Sequence, residues 1–291
     1  MKVAVHGKVF HENTLPVIEY TIDLLRKKKY KFYLSRPFHD QVFEHGIDLD
    51  KCSIYTPGSD FQNFDFIISI GGDGTLLETI THVGKSETPI LGVNTGRLGF
   101  LATTNKEMIS EALECIENKQ FDIDSRMLLK VESSDPIFDE LNYGLNEVTV
   151  LKQDTSSMIT VHAYINDEFI NSYWADGLII ATPTGSTGYS LSCGGPVVMP
   201  HSNNLILTPV SPHNLNVRPL VVSDSYTISL KVESRSNYFM VSLDSRSRII
   251  KSGVKLQIGK ENFAAKLIKF DGYSFVNTLR KKLNWGLDVR N

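Results

Sequence analysis

The sequence contains little cysteine and no long hydrophobic run. Its three cysteines, Cys52, Cys115 and Cys193, are odd in number and form no CxxC pair, so they predict reduced thiols and not a disulfide framework or a zinc-binding set. The opening MKVAVHGKVF breaks its apolar run at His6, which excludes a signal-peptide core. No uncharged stretch approaches the length of a membrane-spanning helix. We therefore expect a cytoplasmic protein without a membrane partner.

A strong charge of either sign is also missing. The formal net charge is −3 and the pI is near 6.2, with lysine and arginine scattered along the chain. Such a balance gives no general attraction to nucleic acid, which we exclude as a partner. The chain does have 291 residues and 41% hydrophobic content, enough for one large core or two ordinary ones. We expect two domains.

The first part of the chain alternates strand-like and helix-like stretches. Four stretches have the pattern of buried strands: KVAVHG, KFYLS, FDFIISI and PILGVN. Three others have the apolar spacing of helices: LPVIEYTIDLLRKKKY, GTLLETITHVGK and NKEMISEALECIENKQ. This rhythm is typical of parallel strands with helical crossovers. It predicts an α/β domain with a parallel sheet over residues 1–122.

The texture of the sequence changes after FDIDSR. Stretches such as SMITVHAYINDEFI, TISLKVES and YFMVSL are β-branched, roughly alternating and separated by polar turns. They predict a β-rich domain over residues 123–270. Phe275, Leu279 and Leu283 then recur four residues apart, which predicts a C-terminal helix within 271–291 that packs back on the first domain.

Residues 70–77 read IGGDGTLL and combine a strand end, three glycines and one carboxylate. Gly71, Gly72 and Gly74 leave no Cβ to hold a ligand away, and the helix that starts near Thr75 offers free N–H groups to a phosphate. The loop is neither a P-loop nor the GxGxxG fingerprint. Asp73 would repel a phosphate directly against it, so it suits a hydroxyl that is phosphorylated, or a metal that carries phosphates. The pattern favours kinase-like transfer, although a plain strand–helix connection or N-cap is the structural alternative.

A second cluster reads WADGLIIATPTGSTGYSLSCGGP over residues 174–196. After Asp176 and a short strand it sets six hydroxyl side chains among four glycines, which suits a ribose or a pyrophosphate. Any one of these hydroxyls is more often part of an ordinary turn. The pair Asn146 and Glu147 lies between the two clusters, at the start of a strand-like run, and alone it reads as a turn or a surface edge.

Taken together, these motifs resemble those of bacterial NAD kinases. GGDGTLL, NTGRLGFL, NEVTV, DGLIIATPTGSTGYSLSCGGP and YSFVNTLRKKLNW follow one another in the order and spacing of that family and run through nearly the whole chain. The resemblance implies an α/β domain followed by a β-rich domain. It also implies phosphorylation of the adenosine-ribose 2′-hydroxyl of NAD by ATP with a divalent metal such as Mg²⁺, to give NADP. Members of the family form homo-oligomers, commonly dimers or tetramers.

The resemblance assigns roles to particular residues. Asp73 matches the proton acceptor, with Gly74 beside it against the substrate, and Gly71, Gly72, Gly74 and Thr75 form the phosphate loop. Asn146 and Glu147 match the pair that holds the adenosine part of NAD, and Asp176 matches a second substrate-binding carboxylate. The stretch that lines the dinucleotide corresponds to Thr187, Gly188, Tyr189, Ser190, Leu191 and Ser192.

The chain departs from the family pattern at several positions. Trp174 and Ala175 stand where relatives have Arg followed by Ser or Gly, and Gly188 stands where they often have Ala. Arg246 takes the place of a substrate-contacting Gln, so only its backbone or stem is expected to serve. Glu78 replaces a basic residue, and its contact is not carried over.

The sequence predicts no metal site built from the protein itself. No His, Cys or carboxylate cluster has ligand spacing, and the nearest candidate pair, His6 with His11, reads as surface or hydrogen-bonded structure. We expect the metal to arrive with the nucleotide.

Two other functions remain open at this point. A lipid or sugar kinase can share the glycine–acid loop, but it would need an acyl channel or an arginine-rich sugar-phosphate site, and neither is evident. A non-catalytic NAD(H)-sensing module would keep the dinucleotide pocket and lack transfer. NAD bound across the cleft between the domains, with its ribose presented to Asp73, is the arrangement we expect.

Overall fold

The computed structural model describes residues 1–9, 11–56, 61–96, 99–154 and 157–285. The chain divides into two compact units. Unit 1 contains Met1–Ser125 together with the residues from Ala265 onward, and unit 2 contains Arg126–Ala264. Among the described residues, no helix is both long and apolar enough to span a bilayer.

Unit 1 is built from alternating strands and helices. Its elements, in chain order, are β1 (Lys2–Gly7), α1 (Leu15–Lys27), β2 (Lys31–Ser35), α2 (Arg36–Glu44), β3 (Ser53–Tyr55), β4 (Phe66–Gly71), α3 (Asp73–Val83), β5 (Ile90–Asn94) and α4 (Ile109–Glu117). The strands pair in parallel in the order β5-β4-β1-β2-β3. The predicted α/β domain with a parallel sheet is confirmed, whereas α2 and β3 were not expected from the sequence.

The core of unit 1 explains why its strands read as continuous apolar runs. Every residue of β4 and β5 is buried, because helices cover both faces of a parallel sheet. Helix α1 turns Val17, Ile18 and Ile22 into this core, so its predicted apolar face is the buried one.

Unit 2 is mostly antiparallel. Its elements are β6 (Asp122–Ser133), β7 (Tyr143–Gly144), β8 (Glu147–Lys152), β9 (Ile159–Ile165), β10 (Glu168–Ala175), β11 (Gly177–Ala181), the short helix α5 (Tyr189–Ser192), β12 (Asn204–Val210), β13 (Leu220–Ser223), β14 (Ile228–Glu233), β15 (Tyr238–Leu243), β16 (Arg246–Lys251) and β17 (Leu256–Lys269). One sheet has the order β13-β12-β11-β8-β15-β16. The other contains β10-β9-β14-β17, with β6 paired to β17 and β7. The predicted β-rich domain is confirmed.

The two sheets of unit 2 share one apolar core. Buried side chains alternate with exposed or half-buried ones along β15 and along the second half of β14, as expected for strands with one buried face. Val148, Val161, Ile180 and Phe239 are fully buried members of this core.

The chain ends in unit 1. Strand β17 crosses the boundary at Ala265, and its residue Leu267 then pairs in parallel with Ile90 of β5. Helix α6 (Phe275–Leu283) follows, and the Phe275 ring lies 6.1 Å from the ring of Phe100. The predicted C-terminal helix is present and belongs to unit 1.

Candidate functional site

The glycine–acid loop joins β4 to α3, and its glycines are not equivalent. A Cβ on Gly71 would lie 2.2 Å from the hydroxyl oxygen of Thr75, so only glycine fits at that position. Cβ atoms on Gly72 or Gly74 would meet nothing within 4 Å. Of these three glycines, only Gly71 has a positive φ. The loop is therefore tight at its first glycine and open in front of the other two.

Asp73 is the first residue of α3, and its carboxylate is bound to backbone. It accepts hydrogen bonds from three successive N–H groups, those of Phe100 (2.8 Å), Leu101 (3.0 Å) and Ala102 (3.1 Å). Oδ1 takes two of these bonds and Oδ2 takes one. Since each carboxylate oxygen can accept about two hydrogen bonds, one position on Oδ2 stays available to a ligand hydroxyl.

The segment that binds the Asp73 carboxylate, which follows β5, is held in place by further hydrogen bonds within unit 1. The Asn94 side chain accepts the N–H of Gly96 at 2.7 Å, and the N–H of Thr95 donates to the carbonyl of Gly71 at 3.2 Å. The buried Lys269 ammonium donates to the carbonyl of Leu101 at 3.3 Å. Sequence reasoning missed Asn94 and Lys269. The NTGRLGFL motif was a signal for Asn94, while a lysine inside the apolar end of β17 was the signal for Lys269.

Arg97 and Leu98 of the same motif lie outside the described residues.

Asn146 and Glu147 lie at the start of β8 and are held by Asp244. The Asp244 carboxylate accepts the backbone N–H groups of Leu145 (2.8 Å), Asn146 (2.8 Å) and Glu147 (3.2 Å). Burial of that carboxyl raises the pKa of Asp244, while the three N–H bonds act in the opposite direction. Asp244 was not identified from the sequence, although it lies in the stretch LDSRSR (residues 243–248), just before Arg246.

The Glu147 carboxyl has an unusual environment. Its Oε2 atom is buried and has no hydrogen-bond partner within the described residues. Burial, with a smaller contribution from the charge of Asp244, raises the pKa of Glu147 to about 8. At neutral pH the group is mainly a protonated carboxyl, which can donate one hydrogen bond and accept another.

The hydroxyl- and glycine-rich loop packs against this pair. Thr182 donates its hydroxyl to the carbonyl of Leu145 at 2.6 Å and accepts the N–H of Gly185 at 3.0 Å. A Cβ on Gly185 would lie 2.1 Å from the carbonyl oxygen of Asn146, and one on Gly188 would lie 3.1 Å from Glu147 Oε2. The structure thus brings Gly188 next to the pair Asn146 and Glu147, from which it is distant in the sequence.

The residues that follow Gly188 differ in what they offer a ligand. Tyr189 is 40% exposed at the start of α5, and burial together with the neighbouring Cys193 raises its pKa. Ser190 is buried, and its hydroxyl lies 2.8 Å from that of Thr208, so it is not directed to solvent. Thr187 donates its hydroxyl to the carbonyl of Thr184 at 3.2 Å.

Leu191 is half-buried and Ser192 is exposed.

The two remaining predicted residues already have partners in unit 2. The Asp176 carboxylate lies 2.6 Å from the ammonium of Lys152. Arg246 donates its guanidinium to the carbonyls of Leu141 and Tyr143. The guanidinium therefore ties β16 to the segment before β8, and a role of Arg246 in substrate binding stays a prediction.

Comparison with known proteins identifies the family. The model of the ATP-NAD kinase N-terminal domain matches residues 19–121, and that of the C-terminal domain matches residues 145–270. The chain is 47% identical to the NAD kinase of Cytophaga hutchinsonii over 292 aligned residues and 43% identical to that of Flavobacterium johnsoniae over 294, with both chains covered completely in each case.

Solved structures of NAD kinases share the fold. A crystal structure of an NAD kinase from Archaeoglobus fulgidus in complex with ATP aligns with a TM-score of 0.72 at 27% identity, over 98% of this chain and 99% of that one. Yeast NADH kinase complexed with NADH aligns with a TM-score of 0.86 at 22% identity, over 100% of this chain and 89% of that one. The chain therefore belongs to the ATP-NAD kinase family.

Proposed function

We propose that this protein transfers the γ-phosphoryl group of ATP to the 2′-hydroxyl of the adenosine ribose of NAD and so produces NADP. The observation that carries this proposal is the full-length relationship to NAD kinases at 47% identity, in a chain that keeps both GGDG and NEVTV. The geometry supports it, because each unit has a polar loop suited to a ligand. In unit 1 the carboxylate of Asp73 lies at an open glycine turn, and in unit 2 the carboxyl of Glu147 lies beside the glycine- and hydroxyl-rich loop.

Asp73 is the residue that we propose acts on the 2′-hydroxyl. Its remaining acceptor position on Oδ2 can receive the hydroxyl proton, while the three backbone bonds fix the direction of the carboxylate. The same bonds stabilise the anion and make it a modest base. Its main contribution is then to orient the hydroxyl for in-line attack and to accept the proton as the bond to phosphorus forms.

The phosphate groups are placed at the open side of the glycine loop. Gly72 and Gly74 have free space where a side chain would stand, and the N-terminus of α3 offers unpaired N–H groups to an anion. Mg²⁺ would enter as the metal complex of ATP, since Asp73 is the single carboxylate in the loop and most of its acceptor positions are taken. The ion supplies charge neutralisation on the phosphates.

NAD would be bound by the unit 2 loop. Asn146 and Glu147 would hold the adenosine ribose, with the protonated Glu147 able to donate to one hydroxyl or ring nitrogen and accept from another. Asp176 and the stretch Thr187–Ser192 would line the rest of the dinucleotide. Ser190 would contribute its backbone, because its hydroxyl is committed to Thr208, and Arg246 would contribute its stem.

We further propose a homo-oligomer, a dimer or tetramer, in the cytoplasm. The described cysteines Cys52, Cys115 and Cys193 are all free thiols, which suits a reducing compartment. Trp174 and Phe169 on β10 are exposed apolar side chains that a partner subunit could cover. Light scattering after size exclusion would give the mass of the assembly.

The proposal is tested by incubating the purified protein with NAD, ATP and Mg²⁺ and measuring NADP through an NADP-specific dehydrogenase. Asp73→Asn is expected to lower kcat by about 10²–10⁴ with little change in the KM for NAD. Circular dichroism and calorimetric NAD binding of the variant verify that the fold and the dinucleotide site are kept.

Three results would refute the assignment. Phosphorylation of sphingosine or fructose 6-phosphate but not NAD would indicate a lipid or sugar kinase. NAD binding without turnover with any donor would indicate a sensing module. A loss of NAD affinity with unchanged kcat in Asp73→Asn would remove Asp73 from the chemical step.

A further inference from the structure

A compact group of histidine and carboxylate side chains lies between β1 and α3 in unit 1. Glu78 and His82 are four residues apart on α3 and so share one face of the helix, and His6 faces them from β1. One nitrogen or oxygen atom from each of the three lies within 4.8 Å of the others. Within the described residues this is the one group of three such side chains that could hold a metal ion.

The two imidazole rings are oriented by hydroxyl groups. Nδ1 of His6 lies 2.8 Å from the hydroxyl oxygen of Ser35, and Nδ1 of His82 lies 2.8 Å from that of Tyr55. A hydroxyl that accepts from Nδ1–H fixes the tautomer in which the Nε2 lone pair is free. Metal-binding histidines are commonly held in this way by a second group.

The Nε2 atom of His6 is the observation that points to a missing ligand. His6 is 1% exposed, and its Nε2 atom is buried with no hydrogen-bond partner. Oε1 of Glu78 lies 3.7 Å from it, which is too long for a hydrogen bond. A buried nitrogen without a partner is costly, and native proteins usually satisfy it with a protein group, a water or an ion.

Glu78 has one carboxylate oxygen available to a metal ion, because Lys8 occupies the other. Its Oε2 atom lies 3.0 Å from the ammonium of Lys8, which leaves Oε1 directed to the histidines. The rings of His6 and His82 have their centroids 4.3 Å apart, so both imidazoles border the same small space as Oε1.

We propose that His6, Glu78 and His82 bind a divalent transition-metal ion of the zinc class, with water as the further ligand. Two imidazoles and one carboxylate form a donor set that Zn²⁺ uses, whereas Mg²⁺ prefers oxygen ligands throughout. Zinc–nitrogen bonds of about 2.0 Å place neighbouring tetrahedral donors roughly 3.3 Å apart. The three donor atoms lie within 4.8 Å of one another, so they would have to move closer together on binding.

The bound ion would fasten α3 to β1. Because α3 begins with Asp73, the ion would hold the helix that carries the glycine–acid loop, and it is separate from the Mg²⁺ that accompanies ATP. The role is structural and goes beyond the phosphoryl transfer. It does not depend on that activity.

The test is zinc binding by the full-length protein after removal of metals with a chelator. Isothermal titration with ZnCl₂ should give one ion per chain, and Co²⁺ should give the visible absorption of a tetrahedral site. Zinc should raise the thermal midpoint, and millimolar Mg²⁺ should not compete.

Glu78→Gln is the principal variant, because it keeps the shape of a partly exposed side chain and removes the charged ligand. It should weaken zinc binding at least about 100-fold and abolish the thermal shift, and Tyr55→Phe should weaken binding about 10-fold by releasing His82. His11→Gln is the matched control, since His11 is exposed and close in sequence but outside the group. Equal zinc affinity in wild type and Glu78→Gln, or no saturable binding by the wild type, would overturn the proposal and leave an ordinary Lys8–Glu78 ion pair.

Discussion

Glu147 shows how a single buried carboxyl ties binding to pH. Its pKa of about 8 results first from burial and second from the charge of Asp244. The positive charge of Arg246 acts on Asp244 itself and lowers the pKa of that carboxyl, against the larger effect of its burial. The folded protein therefore keeps a proton on Glu147 over a pH range in which the unfolded chain has already released it.

The first prediction follows from the sign of this shift. A raised pKa contributes stability that is fully present below about 4.5, the value in the unfolded chain, and is lost as pH rises to about 8. Over that window the wild type should lose up to about 1.4 kcal/mol of unfolding free energy per pH unit relative to Glu147→Gln, which cannot titrate. Thermal midpoints measured from pH 5 to pH 9 for both proteins would reveal this difference.

The control for this experiment is Glu168→Gln, because Glu168 is exposed on the same unit. Its profile should follow that of the wild type. Parallel profiles for the wild type and Glu147→Gln would show that Glu147 is ionised throughout and that its environment is more polar than its buried, unpartnered Oε2 indicates.

The sequence predicted single residues better when their motif was local. Asp73 and the Asn146–Glu147 pair could be proposed as site residues because each lies in a short motif with turn-forming or strand-forming neighbours. Asp244 could not, since it acts on backbone N–H groups nearly a hundred positions earlier in the chain. His6, Glu78 and His82 were missed for the same reason, because β1 and α3 become neighbours only when the sheet forms.

At the scale of elements, Gly185 and Gly188 lie in the same hydroxyl- and glycine-rich loop, but a methyl group added at each would contact different atoms. The methyl of Gly188→Ala would lie 3.1 Å from Oε2 of Glu147, the mobile end of a side chain, and 3.2 Å from the carbonyl oxygen of Gly185. The methyl of Gly185→Ala would lie 2.1 Å from the carbonyl oxygen of Asn146, which belongs to the backbone pair that Asp244 fixes. Neither glycine has a positive φ.

The second prediction is that these two substitutions differ in the size of their effect. Gly188→Ala should destabilise the protein by about 1 kcal/mol, because its backbone (φ −93°, ψ −134°) lies outside the regions that residues with a Cβ favour, while its close contacts need shifts of only a few tenths of an ångström. Gly185→Ala should destabilise it more, by up to about 3 kcal/mol, because a backbone must move. Urea denaturation monitored by circular dichroism measures both, and a destabilisation of equal size in the two variants would show that the close contacts of Gly188 yield no more easily than the backbone of Asn146.

The loop that holds Asp73 provides a third prediction. A methyl on Gly99 would lie 2.0 Å from Oδ1 of Asp73, whereas a methyl on Gly96 would meet nothing within 4 Å. Gly99→Ala should displace the carboxylate and lower kcat by about 10²-fold or more, while Gly96→Ala in the same loop should leave the rate within a few-fold of wild type. Steady-state NADP formation distinguishes them. Retained activity in Gly99→Ala would mean that the direction of the Asp73 carboxylate is unimportant.

Helices and strands were predicted correctly from the sequence where their apolar residues follow a clear helical or strand pattern. Helix α1 and strand β4 were recognised from their apolar spacing. Helix α2 was missed because its nine residues bury only Phe38 and Val42, and β3 was missed because it has three residues. Such short elements are set by tertiary contacts more than by their own pattern.

On the scale of the whole molecule, the order of the chain does not match the division into units. The residues from Ala265 onward belong to unit 1, although they follow the whole of unit 2 in the sequence. They supply buried Leu267 and Ile268, and Lys269 donates to the carbonyl of Leu101 beside Asp73. The N-terminal 125 residues therefore lack part of their own core.

The fourth prediction is that unit 1 folds only when this segment is supplied. Burial of Leu267 and Ile268 contributes roughly 1.5–3 kcal/mol each, which is a large share of the about 5–15 kcal/mol that stabilises a domain. A chain of residues 1–125 alone should show no cooperative thermal transition by circular dichroism. The same chain joined by a flexible glycine–serine linker to residues 265–291 should unfold cooperatively.

The linked protein also permits a specific control. Leu267→Asp, placed opposite Ile90 in the parallel pair, should abolish the transition, because it buries an unpaired charge in the sheet. Exposed Lys281→Ala on α6 should leave it unchanged. If residues 1–125 alone unfolded with the same midpoint as the linked chain, the segment from Ala265 onward would be an accessory to unit 1 and the support that Lys269 gives to the Asp73 loop would be dispensable for folding.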